Sequence, residues 1–264
     1  MKYTSVYPIT ASQIDADYRL TVDGILAFYE NTVARYFTTL NLAAFDLQKR
    51  DMTWVISEIN LELPAPPSMW SEDIEIELWV SEMSSIRVWT DFVAREVHSG
   101  VVAARGNSCW SVISMSQRRP VSCEGFIPAG ELRPELAAGP HRKRASVKIA
   151  DTPSNIIEHR VNLIDLDFNG HTNNRRYVQL ALSCFDTDFL GGHRPVSLGI
   201  RFIRESRFGD GLVCKTYPSD EEKAFVGIIC NGSGEELCRV SSRWREKEAI
   251  PDIADVNLVR NPLG

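Results

Sequence analysis

Between Asp23 and Leu40 the apolar residues Ile25, Leu26, Tyr29, Val33, Tyr36, Phe37 and Leu40 fall at helical spacing, with Asp23 as candidate N-cap. A long amphipathic helix is predicted there, and a shorter one over residues 42–49. The period then changes to two. Ile74, Ile76, Leu78 and Val80 alternate with Glu75, Glu77 and Trp79, as in a half-buried strand. Strands are predicted over residues 54–63, 74–80, 85–96 and 101–115. The segment Leu63-Pro64-Ala65-Pro66-Pro67 reads as a turn, because three prolines withhold ladder donors.

Residues 128–146 interrupt the pattern. Pro128, Pro134, Pro140 and the basic run His141-Arg142-Lys143-Arg144 predict a linker crossing the surface. The pattern then restarts with a strand over residues 159–164 and a helix over 173–190 stopped by Gly191-Gly192. Strands follow over 196–204, 211–217, 223–230 and 236–245. A helix followed by antiparallel-looking strands, twice over, predicts an α+β protein rather than a parallel βαβ sheet. The expected division is an N-terminal domain at 1–127, a linker at 128–146 and a C-terminal domain at 147–264. A shift of 141 residues lays Arg35-Tyr36 on Arg176-Tyr177, and a shift of 134 lays Trp110 on Trp244.

The composition narrows the class. At 264 residues, 44% hydrophobic and 24% charged, the chain is neither disordered nor of low complexity. A net charge of -6 argues against a nucleic-acid binder. No apolar run approaches the roughly 18 residues that span a bilayer, and residues 1–20 carry no signal-peptide pattern. A cytoplasmic protein is expected, with Cys109, Cys123, Cys184, Cys214, Cys230 and Cys238 as reduced, mostly packed thiols.

The segment carrying candidate chemistry is Asp165-Leu166-Asp167-Phe168-Asn169-Gly170-His171-Thr172-Asn173-Asn174. Asp167, Asn169 and His171 alternate just before a helix, and Gly170 permits a sharp turn. The N–H groups at the start of that helix suit an oxygen gaining negative charge. Taken alone, Asp, Asn and Gly are equally ordinary turn and cap residues.

With Asn174 and Tyr177, this segment resembles the signature of hotdog-fold thioesterases. Across roughly residues 18–245 the chain resembles the acyl-acyl carrier protein thioesterases. Further points of resemblance are Trp54, Pro64 and Trp70 in their spacing, Ser108-Cys109-Trp110-Ser111-Val112 followed by Arg118-Arg119-Pro120, and Ile200-Arg201-Phe202-Ile203-Arg204-Glu205-Ser206. The resemblance implies a tandem (double) hotdog, each half an antiparallel sheet wrapped around a long helix. It places catalysis on Asp167, Asn169, His171 and Glu205, needs no cofactor or metal, and implies an acyl carrier protein bearing a fatty acyl thioester as partner. The implied reaction releases free fatty acid and carrier, ending fatty acid synthesis. An acyl-CoA thioesterase and a non-catalytic acyl-thioester binding module are the alternatives.

Many members of the family carry Cys after the glutamate. Here Ser206 stands in its place, so a serine nucleophile with His171 as base is a further option. In the 141-residue register the four polar positions face Leu26, Phe28, Glu30 and Pro64, which implies one catalytic site and an N-terminal half free to house the acyl chain. Candidate contacts for an acidic carrier are Arg175, Arg176, Arg201, Arg204, Arg207 and the run from His141 to Arg144. Hotdog sheets often pair, so a homodimer is compatible with this reading.

Overall fold

The first helix, α1 (Val22–Thr39), starts two residues earlier than Asp23 would place it. Thr21 is the N-cap, its Oγ1 accepting from the Gly24 N–H at 3.0 Å. Asp23 sits instead in the first turn, where the helix dipole favours an acid. The buried face of α1 carries Ile25, Leu26, Phe28, Tyr29, Val33, Tyr36 and Phe37. Tyr29 stacks on Phe92 at 4.3 Å and Phe28 on Tyr7 at 5.0 Å, fixing the helix against the sheet.

The structure, a computed structural model, describes residues 2–139, 141 and 148–248. After α1 come α2 (Ala44–Gln48), β2 (Met52–Glu62), β3 (Asp73–Met83), β4 (Val88–Glu96) and β5 (Val102–Ser114), with β1 (Tyr3–Pro8) ahead of them. The second half runs β6 (Asn155–Arg160), α3 (Asn174–Leu182), α4 (Thr187–Gly192), β7 (His193–Phe202), β8 (Gly211–Pro218), β9 (Ala224–Asn231) and β10 (Glu236–Glu246). All strands join one 10-stranded sheet in the order β1-β3-β4-β5-β2-β7-β10-β9-β8-β6. Every pairing in it is antiparallel. Read outward from the centre, the halves match strand for strand: β2 with β7, β5 with β10, β4 with β9, β3 with β8, β1 with β6. They meet where β2 pairs β7, Asn60 opposite Gly199. The α+β, double-hotdog expectation is met.

Three elements differ from the sequence pattern. β1 was not anticipated: it is a short edge strand ending in Pro8, and its ladder partner is β3. The apolar pair Leu163-Ile164 reads as strand but forms a 3-10 turn held by a capping box between Asn162 and Asp165, leaving both side chains exposed. The helix expected over residues 173–190 is two. Ser183 turns its hydroxyl back onto the Gln179 carbonyl at 2.7 Å, and Asp186 caps a fresh helix through the Phe189 N–H at 2.7 Å.

The segment 128–139 packs on the sheet. Trp79 donates to the Glu135 carbonyl at 2.9 Å, and the Ala137 N–H donates to Asp91 at 2.8 Å. His141 stacks on Trp89 at 4.3 Å and meets the buried Asp91 at 2.8 Å, so it is engaged by the sheet rather than offered to a partner. Residues 142–144 of the basic run lie outside the described residues. The six cysteines are free, and all but Cys230 are buried. Among the described residues no helix is long and apolar enough to cross a membrane.

Candidate active site

The loop that leads into α3 closes on its own aspartate. Asp167 Oδ1 accepts from the Asn169 N–H at 2.8 Å and the His171 N–H at 3.1 Å, while the Asp167 N–H donates to the His171 carbonyl at 2.7 Å. Gly170, with φ of 75°, takes the left-handed position at the tip. Upstream, the buried Asp165 holds the loop's entry through His159 at 2.8 Å and the Asn162 N–H at 2.9 Å. Asn173 caps α3 by accepting from the Arg175 N–H at 2.9 Å, and its carbonyl accepts from Arg176. Those two N–H groups are thus occupied, so the helix start offers fewer donors to an oxyanion than the sequence implies.

Glu205 follows β7 in a loop whose backbone meets the first, with His171 opposite Arg207. Glu205 Oε2 lies 3.3 Å from His171 Nε2. Its other oxygen, Oε1, is held by Arg118 at 2.7 Å and Arg207 at 3.0 Å. Arg207 also lies 3.2 Å from His171 Nε2. As neutral imidazole with a bare Nε2, His171 accepts from Arg207; protonated there, it donates to Glu205. One proton therefore decides its partner. Partial burial pushes the Glu205 carboxyl up, but the hydrogen bonds from Arg118 and Arg207 and the charge of His171 outweigh it, holding Glu205 below its ordinary range. Asn169 Oδ1 accepts from Gln48 Nε2 at 3.1 Å. The structure thus brings His171 and Glu205 together, while Asn169, two residues from His171 on the same loop, turns its amide oxygen to Gln48, and Asp167 shapes the loop through its backbone.

Comparison with known proteins places this geometry. The family description for the acyl-ACP thioesterase N-terminal domain matches residues 1–127, and that for the C-terminal domain matches residues 149–246. The chain belongs to the acyl-ACP thioesterase family. A chloroplastic acyl-[acyl-carrier-protein] hydrolase of Cuphea viscosissima is 24% identical over 94% of this chain and 64% of its own length. A chloroplastic dodecanoyl-[acyl-carrier-protein] hydrolase of Cinnamomum camphora is 25% identical over 76% of this chain and 55% of its own. The chain therefore spans less than two thirds of the length of these plant relatives. Among solved structures, a 12:0-ACP thioesterase from Umbellularia californica shares the fold with a TM-score of 0.81 at 20% identity, covering 93% of this chain and 98% of that one. An acyl-ACP thioesterase from Bacteroides thetaiotaomicron gives 0.79 at 20% identity, covering 92% and 98%.

This thioesterase-family chain carries the loop twice, but not in the register of 141. A shift of 152 lays Asp15 on Asp167, Asp17 on Asn169 and Arg19 on His171. Asp15 Oδ1 accepts from the Asp17 N–H at 2.9 Å and the Arg19 N–H at 3.0 Å, the same pair of bonds. Tyr18, φ 56°, occupies the place of Gly170. Leu20 donates to the Ser68 carbonyl as Thr172 does to that of Ser206, each at 2.8 Å. Pro67 thus stands where Glu205 does, and Arg19 donates to its carbonyl at 2.9 Å. The Arg-Tyr match misled because the helices differ in length: Tyr177 lies in the first turn of α3 and Tyr36 near the end of α1. The N-terminal half is accordingly not apolar at these positions. Asp15, Asp17 and Arg19 stand in the loop, and Leu26, Phe28 and Glu30 belong to α1.

Other expectations also change. Ser206 is buried, its hydroxyl bonded to Thr172 at 2.7 Å and Tyr177 at 2.8 Å, so it faces the core rather than His171. Arg175 turns to α1, meeting Asp23 at 3.0 Å and Glu30 at 3.2 Å. Arg176 is held by the Ile164 carbonyl at 3.1 Å and by Gln179. The Glu30 carboxyl is raised to about 7: burial pushes it up, Arg175 pulls it down, and Asp23 and Asp167 push it up. Sequence reasoning missed Gln48 and Arg118, which reach the site from the N-terminal half. The stretch Arg118-Arg119-Pro120 was the available signal.

Proposed function

We propose that this chain hydrolyses the thioester of a fatty acyl-acyl carrier protein, giving free fatty acid and the carrier thiol. The observation that supports it is the approach of His171 to Glu205 at 3.3 Å, in the part of the chain matched by the family's C-terminal domain. In this reading Glu205 stays ionised and, with His171, draws a proton from a water positioned by Asn169. The water oxygen bonds to the thioester carbon. The resulting oxyanion collapses, the carbon–sulfur bond breaks, and the proton held on His171 goes to the leaving sulfur. Asp167 acts through the loop backbone. The reacting side chains belong to residues 147–264, with one centre per chain, because the copy built on Asp15 has arginine and proline where histidine and glutamate are needed; the resemblance assigns the acyl chain to residues 1–127.

The exposed Arg201, Arg204 and Arg207 are the remaining described candidates for meeting an acidic carrier; Arg204 is paired with Glu235 and Arg207 with Glu205. A released-acid assay over carrier-linked saturated chains of graded length tests the reading. Turnover is expected with the carrier-linked series and is expected to fall with added salt, while turnover of the matching CoA thioesters is slower and less sensitive to salt. Equal turnover of both carriers at every salt concentration would identify an acyl-CoA thioesterase instead.

A further inference from the structure

The carboxylate proposed for catalysis is held by a residue from the other half of the chain. Arg118 lies in the turn that follows β5, and its guanidinium meets Glu205 Oε1 at 2.7 Å across the boundary between the halves. That turn is built to hold its shape. Asp51 accepts from the Ser116 N–H at 3.0 Å, from the Ser114 hydroxyl at 2.8 Å and from the Ser116 hydroxyl at 2.6 Å. The Met115 N–H donates to the Asp51 carbonyl at 2.8 Å, and the Arg118 N–H to the Ser114 carbonyl at 2.9 Å. Arg118 itself sits at φ 55°, a left-handed conformation that a non-glycine residue keeps only when its surroundings impose it.

We propose that Arg118 is a positioning residue for Glu205, so that the hydrolytic centre is completed by the N-terminal half; this rests on the function proposed above. An exposed ion pair alone would carry little weight. The argument here is geometric. Arg118 and Arg207 both bind Oε1, which fixes the rotation of the carboxylate and leaves Oε2 to His171 at 3.3 Å. The groups facing Glu205 are then Arg207 from its own loop, His171 from the loop before α3, and Arg118 from the turn after β5. Gln48, on Asn169, is a second crossing contact on the same side. In the N-terminal copy of the loop the crossing contact falls elsewhere: Lys247, just past β10, meets Asp17, the counterpart of Asn169, at 2.7 Å. There the position of Glu205 is Pro67, so no carboxylate is available to be tuned.

The test compares R118Q and E205Q with wild type on the dodecanoyl thioester of acyl carrier protein, with R119Q as the neighbouring control. Removing a cation beside a carboxylate raises its pKa. R118Q is therefore expected to move the acid limb of the kcat/KM profile to higher pH. It should lower kcat roughly tenfold, with KM nearly unchanged. R118K should restore part of the limb, and R119Q should match wild type. A folded R118Q with the wild-type kcat and acid limb, beside an inactive E205Q, overturns the inference and leaves the proposed function standing. An active E205Q overturns both. Should R118Q fail to fold, R118M, which keeps the aliphatic stem, takes its place with the same expected shift and the same overturning result.

Discussion

Glu205→Gln is expected to lower kcat for acyl-thioester hydrolysis by about a thousandfold while leaving the fold intact, the scale of loss associated with disabling acid–base catalysis, here at His171. Glutamine keeps the size of the side chain and an oxygen that can accept from Arg118 and Arg207. It lacks the negative charge that holds a protonated His171, so the proton drawn from water is no longer stabilised on the imidazole. The side chain is a third exposed and outside any strand, so its loss costs little packing. The expected signature is an unchanged thermal transition with activity gone. Normal turnover in the folded variant would remove Glu205 from the mechanism.

Asp167→Ala is expected to reduce kcat by roughly a hundredfold, through displacement of the loop rather than loss of a reacting group. Its carboxylate satisfies the N–H groups of Asn169 and His171, and alanine leaves both without that acceptor. The molecule contains its own control. Asp15 makes the same two bonds in the N-terminal copy of the loop, and Asp15→Ala should leave kcat within about twofold of wild type while disturbing the local backbone as much. Steady-state kinetics of the two variants, with their thermal transitions, separates a catalytic loop from a structural one. Equal losses in kcat would mean that both loops serve turnover.

Much of the fold was legible because its signals are local. The spacing of Ile25, Leu26, Tyr29 and Val33 and the alternation at Ile74 to Val80 report buried faces directly. β1 carried too few residues to show a period, and the break after Leu182 turns on one serine and one aspartate side chain. In the proposed site, Asp167, Asn169 and His171 stood out as a motif because they share one loop, whereas Glu205 came from the resemblance alone. What one chain segment cannot display is a contact made across the sheet. Gln48 and Arg118 reach the centre over 121 and 87 residues of chain, and no spacing rule connects them to it. The internal repeat was visible and its register was not. Two matching residues in helices of unequal length outweighed Asp15-x-Asp17-x-Arg19, whose equivalence lies in backbone hydrogen bonds rather than in side-chain identity.

The central claim is one hydrolytic centre, in the second copy of a duplicated loop. Its most direct test is the release of free fatty acid from a carrier-linked acyl chain by wild type, His171→Ala and Arg19→Ala, substitutions at equivalent positions of the two loops. The account predicts release by wild type and by Arg19→Ala, and almost none by His171→Ala. Similar losses in both variants, or full release by His171→Ala, would contradict it.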